Sequence, residues 1–171
     1  VKKISEDDIR LILTLRLIPY LSMDINNNAL QDLYKKILAL HSPVERSQAL
    51  IQLASILPKL ATEQHEIAGT LAETVTVAQN IANVEAKARC IVALAPHLPE
   101  TLADDLLRQS LEEIAGVPID SSRANIFNTI GDALPVSHFE QALKIAQGIQ
   151  TPEERARAIT ALSRNAPPAM M

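Results

Sequence analysis

Residues 151–167 read TPEERARAITALSRNAP, and this stretch has the features of one complete helix. Thr151 is a residue type that caps helix starts, Pro152 fits the first helical position, and the two glutamates that follow favour the positive end of the helix dipole. Pro167 ends the run, after an apolar stripe at helical spacing formed by Ala156, Ala158, Ile159 and Leu162. The stretch predicts a helix over residues 152–164.

The same pattern occurs several times in the chain. Each copy can be counted from a basic residue near the start of its first helix, and these residues are Arg10, Arg46, Lys87, Arg123 and Arg155. Nearly every copy has apolar residues four, seven and eleven positions after this residue, and the last four copies have proline at the twelfth. A second apolar stripe lies six, nine and twelve positions before it. Because both spacings follow one face of an α-helix, each unit is predicted to be helix A, a Leu-Pro turn and helix B.

These repeats predict an all-α fold, a right-handed α-solenoid of about four and a half antiparallel helical hairpins. We expect one repeat domain over residues 1–171, with units near 5–40, 42–82, 83–117, 119–149 and 151–167. The predicted helices are 5–18, 28–40, 43–57, 63–82, 84–95, 101–116, 120–134, 138–149 and 152–164. Pro19 and Pro96 are expected to end their A helices early. The predicted helix caps are Asn28, Ser42, Asn83, Thr101, Ser137 and Thr151.

The composition excludes several classes of function. The formal net charge is −4, which argues against general nucleic-acid binding because such proteins rely on a basic surface. The single cysteine, Cys90, cannot form an internal disulfide, so we expect a reducing, cytoplasmic location. We see neither a signal peptide nor an apolar run of transmembrane length, and no membrane partner is expected. Val1 is not an initiator methionine, so either a fragment of a longer protein or a processed product is expected.

The repeats resemble a known bacterial pattern. The stretches that carry the resemblance are Ala88–Pro99 (ARCIVALAPHLP), Arg123-Ala124 with Ile130 and Leu134-Pro135, and Arg155–Leu162 (RARAITAL). They are similar to the degenerate R-A-x-A-L-x-x-L-A-x-x-L-P core of HEAT-like and TPR-like helical hairpin repeats, which also form the sensor arms of STAND-type signalling NTPases. The resemblance spans about residues 4–167 and implies recognition of a protein or ligand. The chain lacks the P-loop of such an NTPase and the Trp-Leu-Gly and Tyr pattern of standard TPRs.

The basic residue of each unit has two interpretations. Arg10, Arg46, Lys87, Arg123 and Arg155 could line a ridge that binds an acidic partner. Each, however, follows a carboxylate and lies beside core positions, so we favour a structural ladder of ion pairs between repeats. The expected partners are Asp7 and Asp8, Glu45, Glu85, Asp120 and Glu154.

No residue pattern in the sequence indicates catalysis, a metal or a cofactor. The four histidines fall at unrelated repeat positions, and Cys90 lies in a core column, where packing is favoured over nucleophilic catalysis. In the acidic pairs Asp104-Asp105 and Glu112-Glu113, the two neighbouring side chains point in different directions on a helix. We interpret both pairs as part of a solvent-exposed helix face, with Arg108 nearby. The four aromatic residues are expected to pack, and we predict that the protein is not an enzyme.

The leading functional prediction is a non-enzymatic interaction module that binds a protein or peptide on its repeat surface. If the B helices line that surface, the candidate contacts are Gln31, Lys35, Glu73, Arg108, Glu112, Gln141 and Lys144. The alternatives are a regulatory arm of a STAND-type NTPase, whose partner is another domain of the same polypeptide, and a HEAT-like nucleic-acid reader or enzyme. The terminal stripe of Ala158, Ile159 and Leu162 is expected to be exposed and to support self-association.

Overall fold

The described residues form helices joined by short turns. The computed structural model describes residues 11, 13, 14, 27–40, 42, 45, 46, 48–53 and 64–166, with the backbone alone for 27–31 and 64–70. Within these residues the α-helices with defined bounds are α1 (Asn27–Ala39), α2 (Gln64–Gln79), α3 (Val84–Leu94), α4 (Glu100–Ala115), α5 (Asp120–Ile130), α6 (Phe139–Gln147) and α7 (Pro152–Ser163). Short 3₁₀ turns lie at Ala95–His97 and Val136–His138. The prediction of an all-α protein is confirmed for the described residues, which contain no strand.

The chain divides into two compact units, one ending at Ile81 and one beginning at Ala82. In the first unit α1 contacts α2. Residues 11, 13 and 14 and residues 45, 46 and 48–53 are also helical, inside the predicted helices 5–18 and 43–57. The second unit contains α3 to α7, and the prediction of one continuous repeat domain stays a prediction.

The apolar positions that recur in the sequence repeats form the core of each of the two compact units. Two positions of the repeat are buried wherever they are described. One lies seven residues after the basic residue, and the other lies nine residues before it. These side chains are Leu53, Leu94, Ile130 and Leu162, and Ile37, Ala78, Ile114 and Ala146. Tyr34, Phe127 and Phe139 are buried too, which confirms that these three aromatic residues pack; Tyr20 lies outside the described residues.

Several helix ends follow local signals. The side chain of Asn83 accepts a hydrogen bond from the Ala86 N–H at 2.8 Å, as its capping role predicts. Helix α3 ends at Leu94, just before Pro96, because proline cannot donate the next helical hydrogen bond. Pro19 lies outside the described residues.

Other helix ends differ from the prediction. The helix expected from Thr101 begins at Glu100, after Pro99, and the one expected from Asn28 begins at Asn27. Neither Ser137 nor Thr151 caps its helix through its side chain: the Ser137 hydroxyl contacts His138, and the Thr151 hydroxyl binds Asp120. Each hydroxyl thus has a hydrogen-bond partner other than a helix N–H group.

Helix α5 is four residues shorter than the predicted 120–134, because it ends at Ile130, just before Gly131. A Cβ on Gly131 would lie 2.9 Å from the Ala161 carbonyl oxygen in α7 and 2.8 Å from that of Phe127. The backbones of α5 and α7 therefore approach too closely at this point for any other residue type, and the chain turns away after Ile130.

Helices α5 and α7 lie side by side and in register. At their starts, Asp120 accepts hydrogen bonds from the N–H and hydroxyl of Thr151, at 2.8 and 2.9 Å. At their ends, the Asn165 amide donates to the Leu134 carbonyl at 3.1 Å. Start thus meets start and end meets end, so the two A helices run parallel.

Helices α3 and α5 make a different contact. The Thr129 hydroxyl, in the last turn of α5, donates to the Asn125 carbonyl of its own helix at 2.9 Å and lies 3.4 Å from the Glu85 carboxylate in the first turn of α3. This contact joins the start of α3 to the end of α5, whereas the hydrogen bonds between α5 and α7 join start to start and end to end.

The expected exposed stripe on α7 is wrong. Ala158 and Leu162 are fully buried, and Ile159 is half-buried. The reason is that α7 packs against both α5 and α6, which cover this face. Self-association through the terminal repeat stays a prediction, without an exposed stripe to support it.

Candidate functional site

The candidate contact residues lie on helices α1, α2, α4 and α6, which correspond to the predicted B helices. Lys35, Glu73, Arg108, Glu112 and Lys144 are exposed, and Gln141 is half-buried. Gln31 lies on α1, where the structure describes the backbone only.

The B helices of adjacent repeats pack against each other within each unit. In the first unit α1 contacts α2, so Lys35 and Glu73 lie on neighbouring helices. In the second unit α4 contacts α6. Arg108, Glu112 and Lys144 therefore lie on two neighbouring helices, outside the apolar core.

Arg108 is already paired within its own helix. Its guanidinium binds Glu112 at 3.0 Å and Asp105 at 3.3 Å, and these carboxylates raise the pKa of Arg108, with Asp105 contributing most. All three side chains are more than half exposed, and such pairs contribute little to folding. Lys144, three residues before the end of α6, has no partner among the ion pairs of the described residues.

The basic residues of the sequence repeats make two kinds of contact, one with carbonyl groups and one with carboxylates. Arg46 donates to the Leu40 carbonyl at 2.6 Å, and Arg155 donates to the Ile149 carbonyl at 3.0 Å. In both cases the acceptor lies six residues back, just after the preceding B helix or its terminal turn, where carbonyl groups lack helical partners.

The other two described basic residues of the repeats, Lys87 and Arg123, bind carboxylates. Arg123 pairs with Asp120, as expected, but Lys87 pairs with Glu113 of α4 at 2.9 Å instead of Glu85. Glu154 lies beside Arg157, not Arg155. The basic column thus contacts its neighbours in two different ways, and not as one uniform ladder; Arg10 lies outside the described residues.

Sequence reasoning missed a groove in the second unit. It has a volume of about 360 Å³ and lies between two Leu-Pro turns, the one joining α3 to α4 and the one joining α5 to α6. Its apolar lining consists of Ala95, Pro96, Leu98, Ala103, Leu107 and Pro135. The polar lining consists of Glu100, Asp104 and Ser137. The repeat pattern includes both turns, but no local signal shows that they meet.

A buried histidine lies beside this groove. Nδ1 of His138 is 3.0 Å from the Ser137 hydroxyl, and its Nε2 is 3.8 Å from the Asp104 carboxylate. A serine, a histidine and an aspartate also make up hydrolytic triads, but there the carboxylate holds the ring by a hydrogen bond. A separation of 3.8 Å is too long for that bond. The Ser137 hydroxyl therefore has the His138 ring at hydrogen-bond distance, but Asp104 does not hold that ring, and its carboxylate stays exposed at the groove.

Cys90 and His97 are two further reactive groups of the described residues, and neither is fully exposed. Burial raises the pKa of the Cys90 thiol to about 12, so the thiol is protonated at neutral pH and packs in the core. Burial also lowers the pKa of His97. Among the described residues, no three His, Cys, Asp or Glu side chains come together as metal ligands.

Comparisons with known proteins identify no family for this chain. No family model matches the chain, and no curated protein and no solved structure matches it either. Within the part of the chain that the structure describes, each helix is too short or too polar to cross a bilayer.

Proposed function

We propose that this protein is a non-enzymatic interaction module, which binds a protein or peptide on the surface formed by its B helices. The observation that carries the proposal is the contrast between the two faces of α4 and α6. The inward residues Ala103, Leu107, Leu111, Ala142 and Ala146 are buried, whereas Arg108, Glu112 and Lys144 stay exposed on helices that pack together.

The proposal includes the repeat architecture, a right-handed α-solenoid of about four and a half hairpins like the HEAT-like and TPR-like repeats that the sequence resembles. It is supported by the alternation of A and B helices and by the in-register packing of α5 on α7. Neighbouring hairpins in such a stack present equivalent B-helix positions side by side. A cytoplasmic location belongs to the same proposal and is suggested by the single cysteine.

The test is capture of partners from native lysate with single charge reversals. Lys144→Glu and Arg108→Glu change the B-helix surface, and Arg164→Glu changes an exposed arginine beyond α7 as the matched control. We expect a partner that the unchanged protein and Arg164→Glu both retain, and that the two B-helix variants lose. A partner retained by all four proteins, or no partner at all, would contradict the proposal. Equal Tm values of the variants exclude unfolding as the cause of a loss.

A further inference from the structure

The groove between the two Leu-Pro turns of the second unit has the size of a site for one side chain. Its volume of about 360 Å³ is near the lower end of the range for small-molecule sites, and too small for a helix. Its floor is apolar, with Leu107 and Ala103 buried beneath it and Leu98 half-buried at its side. A ligand that fills it therefore buries an aliphatic chain.

The charged residues that line the groove are both acidic. Glu100 and Asp104 both line it and both are exposed, with 58% of the Asp104 side chain accessible. None of the nine lining residues is lysine or arginine. The nearest basic group to Asp104 is the His138 ring at 3.8 Å, beyond hydrogen-bond distance. The negative charge is therefore available to a ligand.

An apolar floor beneath a carboxylate edge matches the two parts of a long basic side chain. Lysine and arginine carry an aliphatic stem that buries on apolar surface and a cationic head that stays at the polar edge. Carboxylates bind such heads with charge-assisted hydrogen bonds. An acidic or purely apolar side chain would leave one half of the groove unmatched.

We infer that the groove binds one lysine or arginine side chain of a partner peptide, with the stem over Leu98, Ala103 and Leu107 and the cationic head at Asp104 and Glu100. This inference rests on the proposed function and adds to it a preferred residue type in the partner. It also adds a second contact surface, at the turns and apart from the B-helix residues already named.

The experiment is an NMR titration of the whole chain with two probes, Nα-acetyl-arginine amide and Nα-acetyl-lysine amide. We expect amide shifts confined to residues around the groove, above all Ala103, Asp104 and Ser137. Nα-acetyl-norleucine amide, which has the aliphatic stem without the charge, is the control and is expected to bind at least tenfold more weakly. Equal shifts from norleucine, or no groove shifts from either basic probe, would overturn the inference.

A pair of neighbouring carboxylates supplies the control variants. Asp104→Asn removes the charge at the groove and is expected to weaken binding of the basic probes about tenfold. Asp105→Asn changes the adjacent residue, which pairs with Arg108 and does not line the groove, and is expected to leave binding unchanged. Equal losses in both variants would show a general effect of charge and would contradict a specific site.

The two proposals can fail separately. If Lys144→Glu abolishes partner capture but the basic probes do not shift the groove, the groove inference fails and the B-helix surface stands. If the probes bind at the groove but the B-helix variants retain their partner, the groove stands and the B-helix surface fails.

Discussion

The two contacts between successive A helices differ in the helix ends that they bring together. Helices α5 and α7 lie parallel, with Asp120 bound to Thr151 at their starts and Asn165 bound to Leu134 near their ends. Helix α3, by contrast, places Glu85 at its start beside Thr129 at the end of α5. The same repeat pattern thus supports two packing arrangements.

The residues that do not repeat explain the difference. At the positions of Asp120 and Thr151, the preceding pair has Val84 and Ile119, which cannot form the same hydrogen bonds. Ile119 is left 59% exposed. The start of α5 therefore lacks the polar link that holds α7 in register.

The close approach is also specific to α5 and α7. At the positions of Gly131 and Ala161, the preceding pair has Ala95 and Thr129. Position 95 already carries a methyl group, so the close approach that Gly131 makes to the Ala161 carbonyl has no glycine to permit it there. The α5–α7 contact thus includes a few residues that the repeat pattern does not contain.

The largest effect is expected for Gly131→Ala. The new Cβ would lie 2.9 Å from the Ala161 carbonyl oxygen, and backbone atoms must move to admit it. We expect a loss of about 2 kcal/mol in the free energy of unfolding, typical of overpacking. Gly116→Ala is the control, because its Cβ meets nothing closer than 3.4 Å and its φ of −75° suits alanine. Equal stability of both variants in urea unfolding would count against the close contact.

The α5–α7 contact should also weaken in acid. The hydrogen bonds from Thr151, first its N–H and then its hydroxyl, lower the pKa of Asp120 to about 2 from its usual 3.8. Because the folded-state pKa is the lower one, this carboxylate stabilises the fold above about pH 4, and the contribution is lost as the pH falls towards 2. We expect Tm to fall more steeply in this range for the unchanged protein than for Asp120→Asn.

A suitable control for the acid effect is Asp132→Asn, which removes an exposed carboxylate 3.6 Å from Arg164. Its Tm should follow the same pH dependence as the unchanged protein. An unchanged slope in Asp120→Asn, or an equal change in Asp132→Asn, would show that Asp120 is not the responsible group.

The connection from α6 to α7 should depend on Arg155. Arg155→Met keeps the apolar stem but removes the hydrogen bond to the Ile149 carbonyl, so we expect a loss of about 1 kcal/mol. Arg164→Met, at an exposed arginine, should change the free energy of unfolding by less than about 0.5 kcal/mol. Chemical denaturation distinguishes the two, and indistinguishable midpoints would remove Arg155 from the structural contacts.

The smallest effect is expected at the α3–α5 contact. Thr129→Ala removes an exposed hydroxyl that lies 3.4 Å from Glu85 and donates to the Asn125 carbonyl of its own helix at 2.9 Å. It also adds helix propensity, so stability should change by less than about 0.5 kcal/mol. A loss comparable to that of Gly131→Ala in the same urea series would show that the two contacts are equally demanding.

The sequence predicted the helices well because their positions depend on local, repeated signals. The apolar columns placed α3, α4 and α7 within about two residues, and Asn83 marked a start correctly. The misplaced end of α5 depends on Ala161, thirty residues away from Gly131 along the chain. Such a contact has no local signature.

The candidate sites were predictable to different extents. Helical phase alone placed Arg108, Glu112 and Lys144 on the exposed side of the B helices. The groove was not predictable, because it requires the turn at Leu98 to meet the turn at Pro135, and that meeting follows from how the helices pack.

The most direct test of the difference between the two contacts is paramagnetic relaxation from a nitroxide attached to Glu85→Cys. Cys90 can stay in place, because it is buried and its pKa of about 12 keeps the thiol unreactive; the unchanged protein treated with the same label is the control. We predict stronger broadening of the Thr129 amide than of the Ser121 amide, because Glu85 contacts the end of α5. Stronger broadening at Ser121 would show that α3 and α5 stack in the same register as α5 and α7, and would contradict this account.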